Sequence, residues 1–242
     1  MISITLENFI IALIISLALG LMAYKTKVVD KTGMTSGVVV SMGILICMDV
    51  KFFTIFFTFV IIGAIFTAYK WKKKVREKTA EKEEGRGISN VLGNGLPPLI
   101  FALAYAVLPE QNLALLCGYI SAVAALAADT ASSEIGVLSK SKPIMITTLK
   151  RVEKGTDGGI SILGTFAGLL TTMLVAAVAV IIGIANWYVF IAVIFAGNFG
   201  NFVDSLIGAT LERGKIFGKQ ETNFVCGISG GLCGMFLCLV VF

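Results

Sequence analysis

The stretch "QNLALLCGYISAVAALAADTASSEIG", residues 111–136, decides what kind of protein this is. From residue 111 to residue 128 it carries no charge, and as a helix that run is about long enough to cross the hydrocarbon core of a bilayer. Two carboxylates, Asp129 and Glu134, follow at once. The rest of the chain repeats the apolar pattern: 57% of its 242 residues are hydrophobic, 14% are charged, and the mean hydropathy is +0.91, values that exclude an ordinary soluble domain. Apolar segments near 4–24, 33–49, 51–70, 89–109, 111–128, 157–182, 186–204 and 224–242 predict eight transmembrane helices. The segments are continuous rather than alternating, which excludes a transmembrane barrel. The predicted fold class is therefore all-α, a polytopic integral membrane helical bundle forming a single domain over 1–242.

Charge sets the expected orientation. Of the twenty Lys and Arg residues only Lys51 lies outside the segments 25–31, 70–86, 140–154 and 213–219. With eight spans these four segments alternate with three short links, around Asp49, around Glu110 and at 183–186, so all basic loops share one face. Basic loops stay inside, which predicts cytoplasmic functional loops and both termini outside in a multi-pass protein of the cell membrane. The net charge of +5 follows from this asymmetry and from contact with anionic lipids, and no nucleic-acid motif accompanies it. The first apolar segment lacks a basic leader and a small-residue cleavage site before Lys25, so it reads as a retained helix rather than a signal peptide. The five cysteines form no C-x-x-C pair and histidine is absent, which argues against a zinc site and removes a Ser-His-Asp triad.

Residues 69–87, with eight basic and four acidic side chains, read as a charged helical extension of the third span lying near anionic lipid, with Arg86 beside the return to the membrane. Gly-rich openings recur at 31–43, 155–168 and 223–234, and Asp129 and Asp204 precede two of them. This suggests a repeated unit of an Asp-bearing helix, a basic loop and a Gly-opened helix; close helix packing would account for the small residues equally well.

Ionisable groups in a membrane helix face a protein interior or a wet cavity. Asp129 and Glu134 are five apart, about 140° around a helix, so they converge on one ion only if the helix ends between them, and "DTASSE" has the hydroxyls to end it. Asn198, Asn201 and Asp204 fall three apart on one face of the seventh span. Such hard oxygens suit Mg²⁺, and suit equally a polar seam tying helices together. Between the two sites a loop carries Lys140, Lys142, Lys150, Arg151 and Lys154 into Gly155, Thr156, Asp157, Gly158 and Gly159. A Gly turn opening a helix offers amides to phosphate, although the sequence is no P-loop and a plain cytoplasmic basic loop would look similar. Asn90 and Asn94 open the fourth span, where Pro97 and Pro98 predict a break or kink. Carboxylates, asparagines, lysines and Gly turns thus collect at one end of spans four to eight, as in a metal-assisted phosphoryl-transfer site.

The segments "GNGLPPLIFALAY", "ADTASSEIGVLSKSKPIMITTLKRVEKGTDGGIS" and "GNFGNFVDSLIGATLE" resemble the integral membrane family of domain of unknown function 92, which includes transmembrane protein 19 and plant phytyl-phosphate kinases. The resemblance implies a kinase that uses CTP or another nucleoside triphosphate, with Mg²⁺, to convert an isoprenyl or polyprenyl monophosphate to its diphosphate. It implies metal ligation by Asp129, Glu134 and Asp204, and catalytic roles for these together with Lys150 and Arg151. It carries nucleotide or phosphate contacts onto Asn94, Thr130, Ser133, Lys140, Lys142, Lys154, the 155–159 turn, Ser205 and Asn223, making 129–156 a phosphate-binding loop. Two departures bear on the substrate: Ala131 stands where the family commonly has Trp, and of two asparagines four apart near the last span only Asn223 is matched. The expected partners are the lipid phosphate, the nucleotide and membrane lipids, with a homo-oligomer compatible and no nucleic acid. Two other functions fit the residues: a cytidylyltransferase making a CDP-lipid, distinguished by pyrophosphate release, and a transporter of an anionic or isoprenoid substrate, which needs access from both faces.

Overall fold

Four of the long helices begin where a short polar side chain accepts an amide hydrogen that the first turn leaves unpaired. Thr5 caps α1 (Leu6–Lys25), Asp30 caps α2 (Lys31–Ala68), Ser161 caps α6 (Ile162–Ile181) and Asn186 caps α7 (Trp187–Ile207). A computed structural model describes residues 5–80, 86–108 and 112–241. Its other elements are α3 (Trp71–Arg76), α4 (Ile88–Val107), α5 (Asn112–Gly136), the two-residue strands β1 (Ile144–Met145) and β2 (Gly159–Ile160), a π-helical turn Gly208–Glu212 and α8 (Lys219–Val241).

The described residues hold seven helices long and apolar enough to span a membrane, and α2 supplies two crossings. Asp49 breaks α2 with φ 70°. A Cβ placed on Gly33 would meet the Arg86 carbonyl oxygen at 2.0 Å, and one on Gly63 would meet the Arg86 guanidinium at 3.2 Å. In a straight helix those two glycines would stand about 45 Å apart, so the chain doubles back at Asp49. The first arm, 31–48, runs alongside α4, with Gly37 by Val91, Val40 by Gly95 and Gly43 by Leu99. The second arm, 50–68, runs alongside α5: Tyr119 donates to the Phe52 carbonyl at 3.0 Å and Thr67 donates to Glu134 at 2.8 Å. Eight crossings result, and the protein is an integral multi-pass all-α bundle as the sequence predicts.

The axis of the bundle is α5. Buried residues make up 89% of its apolar window, against 11% for α1 and 33–44% for the others, and it touches α2, α4, α6, α7 and α8. With lipid outside, burial between helices rewards close contact more than bulk, and the alanine-rich middle of α5 allows it. Gly200 of α7 and Gly230 of α8 both come so close to Ala125 that a Cβ on either would lie 2.6 Å from the Ala125 methyl. All five cysteines are free thiols, four of them buried.

Three local expectations fail. The stalk is helical only over α3, after an αL residue at Lys70, and its 81–85 part lies outside the described residues, as does the link around Glu110. Of the break or kink expected in α4, no break occurs: Pro97 and Pro98 both lie inside the helix. Most consequential, α5 does not end inside "DTASSE" but continues to Gly136.

Candidate functional site

The basic end of the bundle is knitted together by contacts between its segments. Residue Val29 pairs with Arg86, Lys154 lies 3.8 Å from Glu77, and Lys219 reaches toward both α5 and α7. Asp30, outside the membrane-spanning segments, holds its carboxyl below the usual value by accepting the Gly33 amide hydrogen and then the Thr32 hydroxyl.

At this end a cavity of about 380 Å³ opens between α5, α6, α7 and the 154–161 loop, and its size is within the range of small-molecule sites. Asp129 from α5 and Asp204 from α7 stand on its floor, 4% and 5% exposed. Lys219, the first residue of α8, lies between them, with Nζ 3.9 Å from Asp129 Oδ1 and 3.5 Å from Asp204 Oδ2. Ser205 and Glu212 complete the α7 side, and the π-helical turn swings Glu212 to the cavity wall. A second, small chamber of about 20 Å³ shares Asp129, Ser133, Glu134 and Lys219 with the large cavity and is otherwise lined by Arg86, Asn90, Asn94, Thr130 and Asn223. The two aspartates that the sequence places before Gly-rich openings thus meet at one point.

Glu134 leaves that point. Because α5 continues as a helix, Glu134 lies about 140° around it from Asp129 and, although it lines both chambers, its carboxylate is taken by Lys74 of α3, Nζ to Oε2 2.6 Å, with the two side chains 0% and 4% exposed. Thr67 donates to its other oxygen at 2.8 Å and in turn accepts from Arg86 at 3.0 Å. Lys74 also donates to the Phe66 carbonyl at 2.6 Å, closing the last turn of α2. The three-carboxylate set Asp129, Glu134 and Asp204 is not assembled, and among the described residues no group of three or more His, Cys, Asp or Glu is placed to hold a metal.

The Gly turn does not open α6 directly. Residues 155–158 run as a loop into β2, which pairs with β1, and α6 begins only after Ser161. Gly155 and Gly158 adopt φ +80° and +75°, and Gly158 lies so close to the π-helical turn that a Cβ would meet the Ala209 amide nitrogen at 2.4 Å. The amides of Gly155, Asp157 and Gly158 are not used in the backbone pairing of this loop, and all three residues line the cavity with Thr156, Gly159 and Lys154. Lys140, Lys142, Lys150 and Arg151 are exposed and outside the lining, and Lys142 pairs with Glu153. Asn198 is a seam residue that donates to Thr172 at 2.8 Å, while Asn201 lines the cavity and donates to Ser132 at 2.9 Å.

Sequence reading missed Lys219, Glu212, Lys78 and Lys74. Lys74 and Lys78 lie in a stretch whose composition describes a solvated helix, and Lys219 approaches Asp204 across a π-helical turn that has no sequence period. The donor set at Asp129 and Asp204 fits a hard divalent cation held through two carboxylates, with other positions left to water and phosphate. Of the five buried side-chain polar atoms without a hydrogen-bond partner among the described residues, three line the two chambers: Asp204 Oδ1, Glu212 Oε2 and Asn223 Oδ1. Buried acceptors of this kind are costly unless something supplies positive charge or a proton.

The profile of the family described as integral membrane protein DUF92 matches residues 14–231. An uncharacterized membrane protein of Methanocaldococcus jannaschii is 36% identical over 239 residues, covering 96% of this chain and 95% of its own length. Protein PGR of Arabidopsis thaliana is 30% identical over 243 residues, 88% of this chain and 84% of its own. Protein VTE6, chloroplastic, from the same plant is 31% identical over 172 residues, 69% of this chain and 51% of its own. No solved structure matches the chain.

Proposed function

We propose that this chain, which belongs to the integral membrane protein family DUF92, is a phosphotransferase that moves a phosphoryl group from CTP or another nucleoside triphosphate to an isoprenyl or polyprenyl monophosphate, yielding the diphosphate. The observation that carries this reading is the pair of buried carboxylates, Asp129 and Asp204, on the floor of a polar cavity at the basic end of the bundle. The motif resemblance to plant phytyl-phosphate kinases supplies the substrate class.

Asp129 and Asp204 would hold Mg²⁺, and the bound ion would neutralise charge on the transferring phosphoryl group. Lys78, Lys154 and the amides of Gly155, Asp157 and Gly158 border the space where phosphates would sit, and backbone amides in such a turn are suited to phosphate oxygens. Lys150 and Arg151, exposed nearby, would raise the local concentration of an anionic nucleotide without touching the reacting atoms. An isoprenyl monophosphate is already an anionic nucleophile, so positioning and charge neutralisation suffice and a chain without histidine can perform the transfer. The cavity reaches Val137, Ile160 and Thr165 beside α6, whose Ile162 and Phe166 face outward at 88% and 57% exposure, giving a prenyl tail an apolar surface into the bilayer. By the positive-inside rule this end is cytoplasmic.

The test uses protein purified in detergent with Mg²⁺, γ-labelled CTP or ATP and a panel of isoprenyl monophosphates. Label in a lipid diphosphate is the expected result. Release of pyrophosphate with formation of a CDP-lipid would replace the kinase by a cytidylyltransferase, and no transfer with any pair from folded protein would overturn both.

A further inference from the structure

Lys219 is in the wrong place for its charge. It opens α8, where the aligned peptide dipoles leave partial positive charge and disfavour a cation. Its ammonium sits 3.5 and 3.9 Å from the two aspartate oxygens, longer than the roughly 2.7–2.9 Å of a good charge-assisted hydrogen bond. It does not satisfy Asp204 Oδ1, which stays buried without a partner. Its side chain is 32% exposed above carboxylates that are 5% and 8% exposed, and it forms part of the wall of both the large cavity and the small chamber. A local mismatch of this kind, held by two buried carboxylates, marks a function rather than a packing need.

From this geometry we infer that Lys219 is a built-in counter-ion for the metal position, one that a divalent cation must displace. Two buried carboxylates facing each other repel unless a cation lies between them or one takes up a proton. Lys219 supplies that cation before loading and keeps Asp129 and Asp204 in register. Its flexible four-carbon stem then lets the ammonium move into the cavity it already lines, where it faces phosphate oxygens. Occupancy by the metal and contact between Lys219 and the aspartates exclude each other. Delivery of the metal together with nucleotide phosphate is thereby favoured over binding of the metal alone, because the nucleotide adds an anionic partner for the displaced ammonium to the carboxylates, such as Glu212, that already line the cavity. This inference rests on the two-aspartate metal reading given above.

The experiment measures Mn²⁺ binding to the purified full chain by the loss of the free-ion electron paramagnetic resonance signal, without nucleotide, in wild type, Lys219→Met, Lys219→Gln and Asp204→Asn. Mn²⁺ is the probe because carboxylates bind it in the manner of Mg²⁺. Removing one competing charge at this distance predicts about tenfold tighter Mn²⁺ binding in the two Lys219 variants, with a raised KM for nucleotide. A gain of affinity cannot arise from damage to the fold, and whichever of the two variants gives monodisperse protein serves. Unchanged or weaker Mn²⁺ binding in the Lys219 variants, with binding lost in Asp204→Asn, would overturn the exchange and leave the metal site standing. If wild type and both Lys219 variants fail to bind Mn²⁺, the exchange and the metal-dependent reading fall together.

Discussion

The buried pair of Lys74 and Glu134 makes the sharpest prediction about stability. Lys74→Met removes an ammonium that is 0% exposed and leaves a carboxylate that is 4% exposed with Thr67 as its remaining hydrogen-bond partner among the described residues. Breaking a buried ion pair from one side costs about 3–5 kcal/mol. For a chain of this size each kcal/mol shifts the melting temperature by about 2–4 °C, so the expected fall is roughly 6–20 °C. The Phe66 carbonyl loses its donor as well, so the end of α2 loosens with it. Lys142→Met is the control, because that pair has side chains 56% and 78% exposed and such pairs contribute about 0–1 kcal/mol. Replacing both buried partners, as in Lys74→Met with Glu134→Leu, restores most of the loss, since an apolar pair of similar volume carries no desolvation cost. The assay is size-exclusion chromatography of detergent-purified protein after heating in steps. If Lys74→Met melts within about 2 °C of the Lys142→Met control, the pair contributes nothing and the argument is refuted. Kinase activity retained in the stable double variant would also show that Glu134 anchors α3 and does not ligate metal.

Asp204→Asn is expected to lower kcat by about 10²-fold or more while the chromatographic profile stays unchanged, as for loss of one preorganised electrostatic group at a transition state; lipid-phase labelling reads it. Gly158→Ala places a Cβ 2.4 Å from the Ala209 amide nitrogen at φ +75°, and should cost about 1–3 kcal/mol in thermal stability and raise the KM for nucleotide, because the loop and the π-helical turn must part. Tyr119→Phe removes the hydroxyl that donates to the Phe52 carbonyl and should lower stability by about 1 kcal/mol without altering turnover, seen in the same melting assay. The depressed pKa of Asp30 means that its capping contribution is complete above the unfolded value and is lost as pH falls through the folded one. Asp30→Asn keeps a cap without the charge, so melting temperatures below about pH 4 should fall less steeply than in wild type.

The eight crossings were legible because apolar length is a strong signal, and the short link at Asp49 divides two spans even though only Asp49 departs from helical geometry there. The convergence of Asp129 and Asp204 was legible in part, since each precedes a basic loop and a Gly-rich opening. What sequence could not supply was helix phase at the end of α5. Thr, Ser and Ala are compatible with ending a helix and with continuing it, and what continues it here is packing on α6, where Ser161 donates to the Gly136 carbonyl at 3.3 Å. That one extra turn and a half separates Glu134 from the aspartates. Its counter-charge was equally hidden, because Lys74 lies 60 residues away among seven other basic residues of 69–87, and only folding selects it for burial. The basic loop misled in the opposite direction: of its five cations only Lys154 reaches the cavity, since the β1–β2 pairing turns the others outward.

The central position of α5 also sets a timetable for biogenesis. The chain leaves the ribosome from its N terminus, so α1, both arms of α2 and α4 enter the membrane before the helix on which the bundle is built. The first arm of α2 and α4 can pair with each other on arrival, but the surfaces that will meet α5 face lipid or the insertion machinery until residue 136 has been inserted. From then on α6, α7 and α8 each dock on a surface already waiting. The nascent protein therefore passes through one defined vulnerable stage, a half-length intermediate of unclosed hairpins, and ends that stage in a single step.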